Sequence, residues 1–187
     1  MGSTGTEVSF SDYLACSELT FEWADSYDTK NWSRLANILA PTVKVKMAHY
    51  CWAGTCDENP GKVLTGRKIH YASVNDFKDD QLPAADFVKM VAAPEFLGDP
   101  LIHTQHLMGA SKYRQITPDL IEGYHQIRAA HQRYTGPGLE EIEAKGHGHA
   151  VITLTYKKVD GEWKWGGITT DIRWNEYEFE KIFKFTL

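Results

Sequence analysis

The chain has 187 residues, which fits one domain, and its content of 42% hydrophobic and 24% charged residues excludes a disordered protein. The net charge of −5, with lysines and arginines scattered along the chain, argues against a nucleic-acid-binding protein, which would carry a basic patch. No apolar segment approaches the roughly 20 residues that are needed to span a membrane. We therefore expect a single domain over residues 1–187 with no nucleic-acid or membrane partner.

Cysteine usage and the N-terminal residues bear on cell location. Cys51 and Cys56 could bridge a short loop or, together with His49, contribute to a zinc site, and Cys16 would be left unpaired. No second pair of zinc ligands supports the metal, and residues 1–13 lack the basic and apolar pattern of a leader peptide. We expect reduced thiols, no metal, and a location in the cytoplasm or at endosomal vesicles without a membrane anchor.

Hydrophobic periodicity predicts two helices and a strand at the start of the chain. Ser11 is the expected N-cap of a helix that runs to Tyr27. A second helix is predicted from about Lys30 until Pro41, which cannot continue a helix. Apolar residues then alternate with lysines over residues 43–47, as in a half-buried strand.

Residues 49–82 carry glycines, prolines and acidic residues in place of any periodic pattern. A loop of this length is unusual in a compact domain. Two interpretations are open: a flap or oligomer contact, and a mobile surface insertion. After it, Pro83 suits the first position of a helix that is predicted to end before Pro94.

The remaining sequence predicts a sheet followed by a last helix. Turn-forming residues separate four predicted strands over residues 103–113, 120–134, 143–158 and 163–169. A helix over residues 174–185 would place Phe179 and Phe183 on one face. Helices that precede an antiparallel sheet indicate the α+β class, not a parallel α/β fold.

Four residues from three separate segments could form an acid–base site. Tyr27 and Asp28 end the segment WADSYD, and His106 and His131 lie in two predicted strands. A phenol, a carboxylate and two imidazoles can together polarise a carbonyl, move a proton and fix a histidine tautomer. His131 shares a strand face with Ala129, so it should point into an apolar interior, where a desolvated imidazole stays neutral.

Structural interpretations of the same residues stand beside the chemical one. A single strand histidine is more often a hydrogen-bonded structural residue than a catalyst, and we interpret His125 in this way. Tyr27 and Asp28 could face solvent at a helix end. His147 and His149 lie on one strand face and could suggest a metal site.

The motifs together resemble the scytalone dehydratase family, fungal polyketide-processing enzymes of the cone-shaped, nuclear-transport-factor-2-like superfamily. The resemblance runs from about Phe10 to Phe183 and is carried by WADSYD, GDP…TQH, GYHQ.R..HQRY, KGH.H and DIRW.E…IF. It implies an α+β barrel with helices over a strongly curved mixed sheet, a ligand inside the cone and no cofactor. It also implies a homotrimer formed through the outer face of the sheet.

The resemblance further implies a role for each acid–base residue. Tyr27 would donate to the substrate carbonyl through a water molecule, and Asp28 would hold His131. His106 would remove a proton next to the carbonyl and return it to the departing hydroxyl. The family has histidines at the positions of His147 and His149 and uses no metal, so these two are expected to be core or interface residues.

Several polar cavity residues of the family are replaced in this chain. A serine and an asparagine correspond to Ala150 and Ile152, and a proline near the lid corresponds to Thr170. A second tyrosine corresponds to Met47, while Tyr50, three residues on, would face the other side of a strand unless a bulge intervenes. The acid–base residues are kept, whereas the residues that would recognise the substrate are not.

The expected substrate-binding residues are Met47, Tyr50, Ala129, Ala150, Ile152, Phe179 and Phe183. The two phenylalanines, core aromatics by default, would form a C-terminal lid that excludes water. We expect a cofactor-free lyase that dehydrates a cyclic polyketide-like hydroxy-ketone other than scytalone in a fungal secondary-metabolite pathway. An isomerase or cyclase, a pericyclase included, is the alternative for a larger and less polar substrate. A binding module without chemistry is disfavoured because all four acid–base residues are present.

Overall fold

The computed structural model describes residues 7–47 and 78–183. In chain order their elements are α1 (Phe10–Asp28), α2 (Trp32–Ile38), β1 (Leu39–Met47), β2 (Lys78–Pro83), α3 (Ala84–Val91), β3 (Ile102–Thr117), β4 (Leu120–Tyr134), β5 (Ile142–Val159), β6 (Glu162–Tyr177) and a short 3-10 helix (Phe179–Lys181). The helices pack on a single mixed sheet, which confirms the expected α+β class. Of residues 49–82, for which a flap or oligomer contact and a mobile insertion were both open, only residues 78–82 are described, and they belong to β2.

Helix α1 begins slightly before the predicted position. Ser9 is its N-cap, and the Ser9 hydroxyl accepts a hydrogen bond from the backbone N–H of Asp12 at 3.1 Å, while Ser11 lies in the first turn. Buried side chains follow along the helix at helical spacing, namely Cys16, Thr20, Trp23, Ala24 and Tyr27. This buried stripe packs α1 against β3 and β6. Within the described residues, no helix combines the length and the apolar character that crossing a membrane requires.

The short elements near residues 38–84 differ from the prediction. Helix α2 ends at Ile38 because β1 already begins at Leu39, so Pro41 lies inside a strand instead of at a helix end. Pro83 is the N-cap of α3 rather than its first residue. Strand β2 was not predicted, since its sequence KDDQLP is polar and exposed, as is common for a strand at a sheet edge.

The predicted helix over residues 174–185 is wrong. Strand β6 continues to Tyr177, and only the short 3-10 helix follows it. The reason is that the end of β6 completes the ladder with β5, with Gly146 opposite Tyr177 and Gly148 opposite Asn175. The backbone hydrogen bonds of this pairing outweigh the helical spacing of Phe179 and Phe183.

The sheet has the strand order β2-β1-β6-β5-β4-β3, in which β1 and β6 are parallel and the other neighbours are antiparallel. It is therefore mixed, as the resemblance implies. Strand β4 has the predicted bounds, whereas β3, β5 and β6 extend beyond their predicted ends. Register shifts interrupt the ladders of β3, β5 and β6, and such bulges bend a sheet. We call the face against which α1 and α3 pack the inner face. Its core is an aromatic stack in which Trp165 lies 6.2 Å from Trp23 and 5.2 Å from Phe87, measured between ring centroids.

The C-terminal segment is held against the inner face by Arg133, a side chain that is only 2% exposed. Its Nη2 donates to Asp99 Oδ2 at 2.6 Å and its Nε donates to the backbone oxygen of Ile182 at 2.7 Å. The segment also crosses closely over Gly146, where a Cβ atom would lie 2.4 Å from the Cα of Phe179. Only glycine permits this approach, so Gly146 has a structural reason to lack a side chain.

Candidate active site

Asp28, the last residue of α1, and His106, on β3, form the central contact of the site. Asp28 Oδ2 accepts a hydrogen bond from the backbone N–H of His106 at 2.9 Å, and Asp28 Oδ1 lies 2.7 Å from His106 Nδ1. A carboxylate can only accept hydrogen bonds, so Nδ1 carries a proton. In the neutral imidazole, Nε2 is then left unprotonated and able to act as a base.

The expected contact between Asp28 and His131 is wrong. Strand β3 lies at one edge of the sheet, so the backbone N–H of His106 is available to a group outside the sheet, and Asp28 accepts a hydrogen bond from it. His131 lies on β4, on the far side of His106 from this edge. Asp28 therefore orients the imidazole of His106, and His131 has no partner for its Nδ1 among the described residues.

His131 is enclosed by aromatic rings on the inner face. Its ring centroid lies 6.1 Å from that of His106, 5.5 Å from that of Phe179 and 5.3 Å from that of Phe183. Burial lowers the pKa of His131 well below its ordinary value of 6.5, because the enclosed imidazolium would lose its contact with water. His131 is therefore neutral at neutral pH.

Tyr27 places its ring against His106 from the helix side. The ring centroids of Tyr27 and His106 lie 5.5 Å apart, and the ring of Trp23 lies 5.2 Å from that of Tyr27 and 5.6 Å from that of His106. Burial raises the pKa of Tyr27 above its ordinary value of 10, so the phenol keeps its proton and can donate a hydrogen bond. The structure thus brings together Tyr27, Asp28, His106 and His131, which the sequence placed in three segments.

The expected substrate-binding residues fall at different distances from this group. Ala129 lies directly opposite His106 in the register of β3 and β4. Ala150 lies on the neighbouring strand β5, two residues beyond Gly148, which is the residue opposite Ala129. Ile152, two residues beyond Ala150 on β5, is only 2% exposed. It lies opposite Thr170 of β6, and the backbone of Met47 pairs with the other side of Thr170. Phe179 and Phe183 contact His131, and Tyr50 lies outside the described residues, so the role of each in binding stays a prediction.

His125, His147 and His149 have structural surroundings. His125 is 1% exposed, with Nδ1 2.8 Å from the Ser111 hydroxyl and Nε2 3.1 Å from the Tyr156 hydroxyl, and burial lowers its pKa to about 4. His147 and His149 lie on the outer face, 3.5 and 3.3 Å from the carboxylate of Glu176. In residues 7–47 and 78–183, no group of three or more histidine, cysteine, aspartate and glutamate side chains could hold a metal ion. Cys16 is a buried free thiol, and Cys51 and Cys56 lie outside the described residues.

Sequence reasoning missed two polar residues of the inner face, Thr104 and Asn175. The buried atoms Thr104 Oγ1 and Asn175 Oδ1 have no hydrogen-bond partner in the described part of the chain, as is also true of His131 Nδ1. Buried polar atoms usually have partners, and these three are half of the six such atoms without one in the described residues, so this part of the inner face is a candidate for contact with a polar ligand. Thr104 could have been found, because it shares a strand face with His106. Asn175 could not, because a helix was predicted at its position.

Comparison with known proteins places this arrangement in a family. The family described as scytalone dehydratase matches residues 7–60 and 50–186. Scytalone dehydratase arp1 of Aspergillus fumigatus is 41% identical over 177 residues, which cover 95% of this chain and 91% of that protein. Scytalone dehydratase of Pyricularia oryzae is 39% identical over 178 residues, which cover 95% and 90% of the two chains.

A solved structure of a hexachlorocyclohexane dehydrochlorinase (LinA, type 2) shares the fold at a TM-score of 0.58 and 15% identity, with 89% of this chain and 88% of that chain covered. The likeness confirms the nuclear-transport-factor-2-like fold. The curated relatives confirm the expectation of an enzyme of the dehydratase type. Family match, relatives and the resemblance seen in the motifs agree: the chain belongs to the scytalone dehydratase family.

Proposed function

We propose that the chain catalyses the cofactor-free dehydration of a cyclic, polyketide-like hydroxy-ketone in a fungal secondary-metabolite pathway. The observation that carries the proposal is the hydrogen-bonded pair of Asp28 and His106 beside the protonated phenol of Tyr27. This arrangement holds one base and one hydrogen-bond donor a few ångströms apart, as the removal of a proton next to a carbonyl requires.

The proposed reaction uses His106 twice. His106 Nε2 takes a proton from the carbon next to the ketone, and the electron pair of the broken C–H bond forms an enolate whose oxygen accepts a hydrogen bond from Tyr27. The enolate then expels the hydroxyl from the neighbouring carbon, and the imidazolium of His106 gives its proton to that hydroxyl. The products are an unsaturated ketone and water, and the imidazole returns to its starting form. Asp28 stabilises the positive charge that His106 carries between the two steps.

His131 is proposed to bind an oxygen of the substrate rather than to be held by Asp28. Its imidazole is neutral and its Nδ1 has no partner in the described residues, so one ring nitrogen is available to a ligand. The aromatic rings of Phe179 and Phe183, which pack against it, would keep water away from this contact.

The substrate is proposed to differ from scytalone. Ala150 and Ile152 stand where the family carries a serine and an asparagine, and the buried side chain of Ile152 offers no hydrogen bond. These apolar positions also support the alternative function, an isomerase or cyclase acting on a larger and less polar substrate. A pericyclic form of the alternative leaves the Asp28–His106 pair without a task, and burying polar groups that do nothing is costly.

A mass measurement separates the two functions. Dehydration of the native substrate removes about 18 mass units, and a substrate that carries deuterium next to the carbonyl should react more slowly because His106 breaks that bond. His106→Ala should lower the rate by about 10²–10⁴-fold while the circular dichroism spectrum is unchanged. Conversion at constant mass, with a His106→Ala variant that remains active, would defeat the dehydratase proposal and favour the isomerase.

A homotrimer is proposed through the outer face of the sheet. Leu107, 59% exposed, and Trp174, 48% exposed, are at the two ends of one outer row that crosses β3 to β6. Light scattering of the purified protein should give three times the chain mass, and Leu107→Asp with Trp174→Glu should reduce it to the mass of one chain. A monomeric wild-type protein at micromolar concentration would contradict the trimer.

A further inference from the structure

Four residues form one straight row across the inner face. His106 on β3 is opposite Ala129 on β4, Ala129 is opposite Gly148 on β5, and Gly148 is opposite Asn175 on β6. Neighbouring strands are about 4.8 Å apart, so the backbones of His106 and Asn175 are separated by about 14 Å. The two residues between them are the smallest that a protein has. We call this row, with polar side chains at its ends and a low floor between, the trough.

The far end of the trough holds an unsatisfied acceptor. Asn175 Oδ1 is buried and has no hydrogen-bond partner in residues 7–47 and 78–183. It lies 3.5 Å from the position that a Cβ atom on Gly148 would occupy, so it lies over the floor of the trough on the same face as His106. The edge of the Phe179 ring, at Cε2, lies 3.4 Å from the same position and borders the trough from the side of the C-terminal segment.

The fold itself does not explain why residue 148 has no side chain. A Cβ atom at Gly146 would collide with the backbone of Phe179, which gives that glycine a structural reason. A Cβ atom at Gly148 would meet its neighbours only at ordinary contact distances of 3.4 Å and above. An alanine would therefore fit at residue 148, but its methyl group would stand in the trough and against the oxygen of Asn175.

We propose that Asn175 is a substrate-binding residue whose Oδ1 accepts a hydrogen bond from a hydroxyl group at the end of the ligand farthest from His106. The ligand would lie across Ala129 and Gly148 as a flat, fused ring system, with its ketone towards Tyr27 and His106. Asn175 thus supplies the polar recognition that Ile152 does not, from a different strand. The inference rests on the proposed function for the orientation of the ketone.

The test uses two ring ketones that cannot be dehydrated, so that binding is measured alone. 6-Hydroxy-1-tetralone carries a hydroxyl on the ring distant from its ketone, and 1-tetralone lacks it. Titration calorimetry should show that the wild-type protein binds the hydroxylated compound about threefold to tenfold more tightly, the usual effect of one buried hydrogen bond. Asn175→Leu and Asn175→Ala should abolish this preference while the affinity for 1-tetralone is retained, which also shows that the variants are folded.

Two further variants complete the test. Gln126→Leu makes the same change from amide to hydrocarbon at an exposed position of the outer face of β4 and should leave the preference unaltered. Gly148→Ala should weaken the binding of both compounds by about tenfold, since the methyl group raises the floor of the trough, at an unchanged unfolding temperature.

Each negative result refutes a different part of the proposal. A preference for the hydroxylated compound that survives Asn175→Leu overturns the role of Asn175 and leaves the proposed dehydratase intact. Wild-type affinity of Gly148→Ala for both compounds overturns the position of the ligand across the trough. If the wild-type protein binds neither ketone at millimolar concentration, the substrate class of the proposed function is refuted, and the inference with it.

Discussion

Replacing Asp28 by asparagine should move the ring proton of His106 from Nδ1 to Nε2 while both side chains keep their positions. Asp28 accepts two hydrogen bonds, from the backbone N–H of His106 at 2.9 Å and from its Nδ1 at 2.7 Å. An asparagine offers one acceptor and one donor. Because the backbone N–H can only donate, it takes the asparagine oxygen, and the asparagine NH₂ group faces Nδ1. Nδ1 must then become an acceptor, so the proton of the neutral ring moves to Nε2.

The size of the effect follows from this change of tautomer. With Nε2 protonated, His106 cannot remove the proton of the substrate, and the contribution of the general base, about 10²–10⁴-fold in rate, is lost. A comparable exchange of aspartate for asparagine behind the histidine of a serine protease costs about 10⁴-fold. We therefore expect Asp28→Asn to lower kcat by about 10³–10⁴-fold, equal to about 4–5.5 kcal/mol of activation free energy.

The tautomer can be observed without any substrate. Nitrogen-15 NMR of the histidine ring, recorded at a pH where His106 is neutral, should show protonated Nδ1 in the wild-type protein and protonated Nε2 in Asp28→Asn. Asp25→Asn is the matched control, since Asp25 lies one turn earlier on α1 and pairs with Arg34 instead. An unchanged His106 tautomer together with turnover within about threefold of wild type would refute the reasoning.

Two further predictions concern specificity and acid stability. The wild-type protein should turn over scytalone poorly. The triple variant Met47→Tyr, Ala150→Ser, Ile152→Asn should bind scytalone more tightly by about tenfold or more, since each regained hydrogen bond contributes about 0.5–1.5 kcal/mol. Efficient turnover of scytalone by the wild-type protein in a steady-state assay would contradict this. The folded-state pKa values of His125, about 4, and His131 both lie below the ordinary 6.5, so the unfolded chain binds more protons and the free energy of unfolding should fall as pH drops below about 6.5. His125 alone should contribute roughly 3 kcal/mol of this loss by pH 4, and His125→Gln should remove that part in urea titrations at several pH values; an identical pH dependence in the variant would count against it.

The elements that sequence reasoning predicted well are those whose pattern comes from burial on one face. Helix α1 and strand β4 alternate buried and exposed residues at the period of their own structure, and both were found to within a few residues. The end of β6 was missed because Phe179 and Phe183 have helical spacing. What decides its structure is the ladder with β5, which joins residues about 30 positions apart and leaves no local pattern.

The candidate site was predictable in its membership but not in its hydrogen bonds. The motifs identified Tyr27, Asp28, His106 and His131, because a family motif is recognised from the types and order of its residues, without knowledge of the fold. The partner of Asp28 depends on which strand forms the edge of the sheet, and that is set by the strand order. The unsatisfied oxygen of Asn175 likewise follows from a register between β5 and β6 that no single segment contains.

The attachment of the C-terminal segment to Arg133 has a consequence for motion. The segment is bound at Ile182 to a buried guanidinium and crosses directly over Gly146, so it is held at two points on either side of the 3-10 helix. Lifting it as a whole would break the buried hydrogen bond from the Arg133 guanidinium to the backbone oxygen of Ile182, a change that costs about 1.5–3 kcal/mol. Rotation of the phenylalanine rings about their own bonds requires no such break and is a far faster kind of motion. Hydrogen exchange should therefore find the amides of Lys181 and Ile182, which donate to Glu178 and Phe179, protected even while ligands come and go beneath the rings.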